Sequence, residues 1–157
     1  SPTLDGLFAA QESVGEKLDE AMGDDRSFGE ACRSHDDYIW QITAGSNIDD
    51  GPAGKVALSV YLQCKMSGEE RVDELVRTVY APIYDSFIGD GKARSWGWLS
   101  HVVGGKYRRA ITMTADDVPT LLKTRAAIIE AISAKDTSTE FSDICYSHSD
   151  YIWDIGH

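Results

Sequence analysis

An α+β domain, with a four-stranded antiparallel sheet carrying two helices on one face, is the fold class that this 157-residue sequence predicts. Three observations predict it. A strictly alternating apolar run fills 55–66. A Gly-Gly turn at 104–105 joins two extended runs. A fifteen-residue string is written twice, as "FGEACRSHDDYIWQI" at 28–42 and "FSDICYSHSDYIWDI" at 141–155, with nine positions identical.

The repeat sets the organisation, because internal repetition has to be recognised before the fold. "PTL" opens an amphipathic stretch at 2–4 ahead of the first copy, and again at 119–121 ahead of the second. Each copy is therefore expected as a helix followed by a strand. Residues 56–114, ahead of the second copy, have no counterpart ahead of the first. The sequence reads as the back half of one module (1–42), a Gly/Asp/Pro-rich linker (43–54) and one whole module (55–157).

Within the whole module, "KVALSVYLQCKM" places Val56, Leu58, Val60, Leu62, Cys64 and Met66 on one face, the period of a strand. Residues 67–91 change to helical spacing, with Val72, Leu75, Val76, Val79, Ile83 and Phe87 in a stripe. Ser67 and Glu70 make a capping box, Pro82 is expected to kink or split the helix, and Gly89 and Gly91 end it. "SWGWLSHVV" and "KYRRAITMT" flank the Gly-Gly turn as a hairpin. Asp116 or Asp117 caps the next helix, Pro119 fits its first turn, and Leu121, Leu122, Ile128, Ile129 and Ile132 form its expected buried stripe. "CYSHSDYIWDI" is the last strand.

Strand, helix, strand, strand, helix, strand is the order of the ferredoxin-like βαββαβ fold, with both helices on one face of the sheet. The other face is then left for a second sheet, and face-to-face dimerisation is expected.

Two further pieces carry a resemblance: Tyr80-Ala81-Pro82-Ile83-Tyr84 in the helix, and Gly91-Lys92 leading to Trp96 and Trp98. Over roughly 55–155 the chain resembles the dimeric α/β-barrel superfamily, and is particularly similar to its uncharacterised bacterial and marine members. The resemblance implies a homodimer or higher homo-oligomer around a barrel. Its members include haem-degrading monooxygenases, cofactor-free quinone-forming monooxygenases, and isomerases of small lactones. No residue motif of any one of those subfamilies stands in this sequence, so whether it is an enzyme is left open.

Composition excludes other classes. The net charge is −11, from 15 basic and 26 acidic side chains, and the basic ones are scattered. A phosphate backbone or an anionic membrane surface needs a positive footprint, so neither is expected as a partner. No apolar run is long enough to span a bilayer, and "SPTLDGLFAAQ" does not read as a signal peptide. Cys32, Cys64 and Cys145 are odd in number and far apart, which reads as separate buried thiols and leans toward the cytoplasm.

His101 heads the candidates for chemistry. Alternation puts it on the face opposite Trp96 and Trp98, and if that face is the open one it joins Tyr61 and Gln63. A His beside a Tyr in an apolar cavity could bind haem iron or shuttle a proton. Its plainer use is a hydrogen-bonded structural histidine at a dimer interface. Trp98 and Arg109 are candidate ligand-binding residues, the second for an anionic group. His35 and His148 each stand in a Ser-His-x-Asp-Tyr element. Ser147 points away from His148 and Asp150, so no hydrolytic triad forms there. A His148–Asp150 hydrogen bond on one face, with Tyr151 and Trp153 packed on the other, fits better. His148 and Asp150 are kept as candidate ligand contacts, and no metal is expected. Two functions stand together: a small aromatic or hydrophobic molecule bound or transformed in the barrel cavity, and a non-catalytic oligomerisation module.

Overall fold

A computed structural model of the chain describes residues 3–25, 27, 30, 36–47 and 54–156. It divides into two units, Ser1–Asp36 and Asp37–His157. The first contains helix α1 (Leu4–Met22), started by Thr3, whose Oγ1 accepts from the Gly6 amide at 3.1 Å. No α1 residue is buried; Leu4, Phe8, Val14 and Leu18 are all exposed.

The second unit is an antiparallel sheet of five strands with helices. Its strands are β1 (Ile39–Ser46), β2 (Val56–Cys64), β3 (Ser95–Val103), β4 (Arg109–Ala115) and β5 (Cys145–Asp154), in the spatial order β1-β3-β4-β2-β5. Its helices are α2 (Glu69–Leu75), α3 (Ala81–Gly89), α4 (Val118–Lys135) and the short α5 (Glu140–Ile144). The sheet has one strand more than expected. The added strand is β1, which carries part of the first repeat copy and lies along the outer edge of β3. It runs across the expected boundary at 42, and residues 48–53 of the expected linker lie outside the described part.

The core lies on one side of the sheet only. Leu58, Val60 and Leu62 of β2, Trp96 and Trp98 of β3 and Met113 of β4 meet Val72, Val76 and Ile83 from the α2–α3 segment and Leu121 and Ile128 from α4. Both buried indoles find a carboxylate on a helix. Trp98 Nε1 donates to Asp73 Oδ1 and Trp96 Nε1 to Asp85 Oδ1, each at 2.7 Å, so neither polar edge is left without a partner.

Proline 82 divides the first helical segment. Its ring has no N–H to give and would crowd the carbonyl four residues back. The chain answers with a π-helical turn at Val76–Tyr80 between α2 and α3. The expected capping box does not form. A 3₁₀ turn at Met66–Gly68 moves the helix start, Gly68 takes the N-cap position, and no side chain caps it. A Cβ at Gly68 would stand 2.7 Å from an Ile144 side-chain carbon, so a larger residue there would push Ile144 aside. Helix α4 begins as expected, with Asp117 Oδ1 accepting from the Thr120 amide at 2.7 Å. Its buried stripe is Leu121, Thr124 and Ile128, whereas Leu122 and Ile129 are exposed. Thr124 is satisfied inside the core by donating to the Lys92 carbonyl at 2.8 Å.

Cys64 and Cys145 are register partners on β2 and β5 and form a disulfide. This overturns the reading of separate buried thiols for those two, and removes the lean toward a reducing compartment that rested on it. Spacing could not show it, because the pair is 81 residues apart in sequence and only strand pairing joins them. Cys32 lies outside the described residues. Among the described residues no helix is long and apolar enough to cross a membrane.

Candidate functional site: the open face of the sheet

Strand alternation sends to the open face every side chain that does not point at the helices. In the middle strands several of these are small: Ala57 and Ser59 on β2, Gly97 on β3, Ala110 and Thr112 on β4. Around this floor runs a row of rings from one edge of the sheet to the other. Tyr38 stacks on Trp40 at 5.3 Å between centroids, Trp40 meets Tyr61 at 6.0 Å, Tyr61 meets Tyr151 at 5.8 Å, and Tyr151 stacks on Trp153 at 5.7 Å. Tyr107 joins from below, 5.5 Å from Tyr61 and 5.8 Å from Tyr38. The rings cover the floor, and Ala110 and Ser59 are 1% and 8% exposed. Trp153 Nε1 donates to Ser59 Oγ at 3.2 Å, and Tyr107 Oη shares a hydrogen bond with Ser149 Oγ at 2.8 Å.

The two repeat copies explain this symmetry. Tyr38 and Trp40 in the first correspond to Tyr151 and Trp153 in the second. The first pair stands at the β1 edge and the second on β5, the opposite edge strand. The string that recurs in the sequence thus places the same Tyr-x-Trp pair on both rims of one face. Tyr38 and Trp40 were not among the candidate residues; the repeat itself was the available signal.

His101 is on this face with Tyr61 and Gln63, as alternation implied. Its ring meets Tyr38 and Trp40 edge-on, at 6.3 and 6.1 Å. Arg108 Nη1 lies 3.0 Å from His101 Nδ1, and Arg108 Nε donates to Glu69 Oε1 at 2.6 Å. Nε2 of His101 is buried and has no hydrogen-bond partner among the described residues. Tyr38 can lie where it does because Gly104 and Gly105 have no side chains. A Cβ on Gly104, whose φ is +141°, would come within 2.4 Å of the Tyr38 ring. The pair is therefore a seat for Tyr38 within a five-residue connection, wider than the two-residue turn expected.

Arg109 and Trp98 lie on the other side of the sheet. Arg109 donates from Nε and Nη2 to the two oxygens of Asp73, both at 2.7 Å, and is 5% exposed in its side chain. Its Nη1 is 3.2 Å from Glu69 Oε2. Burial opposes the Arg109 charge, but the hydrogen bonds and charges of Asp73 and Glu69 prevail and hold its pKa above the ordinary value. Burial likewise pushes the Glu69 carboxyl up, and the Arg108 bond with the two guanidinium charges brings it below the usual carboxylate range. Trp98, 1% exposed, is a core residue tied to Asp73. These two are held by the fold and do not stand on the open face of the sheet.

His148 and Asp150 form the expected pair, Nδ1 to Oδ1 at 2.5 Å, and Arg125 Nη2 adds a bond to Asp150 Oδ2 at 2.6 Å. They point away from Tyr151 and Trp153 and do not join the open-face site. His35 lies outside the described residues. Among the described residues no three His, Cys, Asp or Glu side chains converge to hold a metal ion.

No protein-family model matches the chain, and no curated protein matches it. Among solved structures it is similar to a "putative monooxygenase" from Fusobacterium nucleatum subsp. nucleatum ATCC 25586, with a TM-score of 0.51 and 11% identity over 76% of this chain. The match spans 54% of that protein's length. At this identity the likeness concerns the fold.

Proposed function

We propose that the second unit is a ferredoxin-like domain whose open sheet face binds a small aromatic or hydrophobic molecule, closed in by a second sheet in a homodimer or higher homo-oligomer. The transformation we assign to it is monooxygenase-like. The observation that carries the reading is the ring-lined face: a floor of Ala, Ser, Gly and Thr framed by Tyr38, Trp40, Tyr61 and Trp153. Flat apolar molecules are held by such walls, and a few placed polar groups orient them. The strand order β3-β4-β2-β5 supports the ferredoxin-like reading, because two βαβ halves with their outer strands on opposite sides give that order. The fold likeness to the Fusobacterium protein supports the monooxygenase-like branch. Exposure of Tyr151 and Trp153, at 47% and 46%, supports a covering sheet.

The test is a titration with 2-isopropylnaphthalene, followed by quenching of tryptophan fluorescence, alongside sedimentation of the same samples. Saturable quenching that weakens at least tenfold in Tyr61→Ala is expected. A protein that sediments as a monomer and shows no saturable quenching sinks the proposal.

The oligomerisation module is favoured by a different observation. The repeated strand uses different neighbours in its two copies: β1 pairs with β3, and β5 pairs with β2. One sequence thus serves two kinds of strand edge, a property suited to joining modules. Assembly without saturable quenching would select this reading.

A further inference from the structure

We infer that Arg108, positioned by Glu69, locks His101 as the neutral Nε2–H tautomer, making it a hydrogen-bond donor for an oxygen acceptor on the bound aromatic molecule and excluding it as an iron ligand. The ligand part rests on the binding role proposed above; the tautomer part does not.

A guanidinium has N–H donors and no acceptor. The contact between Arg108 Nη1 and His101 Nδ1, at 3.0 Å, therefore has one chemical reading: Arg108 donates and Nδ1 accepts through its lone pair. A neutral imidazole carries its single proton on the other nitrogen, so Nε2 is an N–H. Arg108 is not at liberty to turn away. Its Nε is committed to Glu69 Oε1 at 2.6 Å, and Glu69 is in turn held by Arg109 at 3.2 Å. The chain of bonds runs from the start of α2 round the end of β4 to the open face.

Metal-binding imidazoles show the reverse arrangement. The coordinating nitrogen offers a lone pair, and the remote nitrogen gives its N–H to a carboxylate or carbonyl. Here the remote nitrogen faces a donor, and the nitrogen on the open face bears hydrogen. Haem ligation by His101 does not fit these residues, and neither does a resting general base at Nε2.

The Nε2–H is buried and has no acceptor among the described residues. A buried donor without a partner is unfavourable, and rings edge-on at 6.1 and 6.3 Å compensate only weakly. A carbonyl or phenolate oxygen on a flat ligand supplies the missing acceptor. It reaches the site when Tyr38 and Trp40 part from the imidazole edge. Both belong to the β1 end of the sheet, where the strand is bonded to β3 on one side and its register with β3 shifts twice.

Nitrogen-15 NMR of the imidazole reads the tautomer directly at neutral pH. The expected spectrum has His101 Nε2 in the protonated range and Nδ1 in the lone-pair range, with the Nδ1–H form appearing in Arg108→Met. An Nδ1–H tautomer in the wild type overturns the inference. The donor role is read with a matched pair, 2-acetylnaphthalene and 2-isopropylnaphthalene, which share a shape and differ in the oxygen. The wild type should prefer the ketone by about fivefold to tenfold, the yield of one well-made hydrogen bond. The preference should fall toward one in His101→Phe and decline in Arg108→Met. Equal binding of the two compounds by the wild type overturns the donor role. If neither compound binds, the binding site itself is wrong and the donor role falls with it, while the tautomer stands or falls on the spectrum.

Discussion

Asp73 holds two structures together from one carboxylate. It accepts both Arg109 bonds and the Trp98 indole bond, so the charge of β4 and the aromatic core of β3 share one anchor on α2. Removing one member of a mostly buried pair leaves the other charge without compensation. We expect Arg109→Met to cost about 2 to 3 kcal/mol, a value reduced because the Asp73 side chain keeps some solvent access. Its neighbour Arg108 is more exposed, and Arg108→Met should cost under about 1 kcal/mol. Urea denaturation of the two variants gives the comparison. Equal losses would mean that Arg109 contributes no more than a surface cation. Successive on a strand, the two arginines of "YRRA" face opposite ways; the face each takes separates a core anchor from a positioning group at the open-face histidine.

At the scale of elements, the unformed capping box and the disulfide show what a sequence carries and what it does not. Alternation at 55–66 and 95–103 marked β2 and β3, because a strand's faces are written locally. Pro82 marked the break in the helix for the same reason. The capping box failed because the close approach of Gly68 to Ile144 fixed the helix start, and that contact joins residues 76 positions apart. In α4, the exposure of Leu122 and Ile129 and the burial of Thr124 follow from where the helix rests on the sheet, which spacing alone does not set. His101, Tyr61 and Gln63 were legible as one face. Arg108 and Glu69 were not legible as its supports, since they meet only across the sheet end. The Cys64–Cys145 bond is of the same long-range kind. It closes a loop of about 80 residues, which constrains the unfolded chain by about 4.5 kcal/mol in the loop-entropy model. Reduction under native conditions should lower the melting temperature markedly, and Cys64→Ser/Cys145→Ser should reproduce the loss without reductant. An unchanged melting temperature in the double variant would show that pairing of β2 with β5 alone suffices.

The whole domain divides its labour across the sheet: one face is packed by helices and sets stability, and the other carries rings and a histidine. That division makes a prediction for alkaline pH. Tyr84 stacks on Trp96 at 4.7 Å beneath α3, and burial pushes its phenol up to about 12. Tyr80, 7% exposed, is pushed higher still by burial and by its bond to Asp136 at 3.0 Å. Both values are raised above that of an unfolded tyrosine, near 10. Above pH 10 the unfolded chain loses these protons first, so the folded state binds more protons than the unfolded one and stability falls as pH rises. The contribution is intact below pH 10 and is lost progressively toward pH 12. Urea midpoints measured from pH 9 to 11 should therefore decline, and Tyr84→Phe, which keeps the ring and its stacking, should flatten the decline without lowering the midpoint at pH 9 much. A slope identical in wild type and Tyr84→Phe would show that the Tyr84 phenol is not the group whose ionisation opens the helix face.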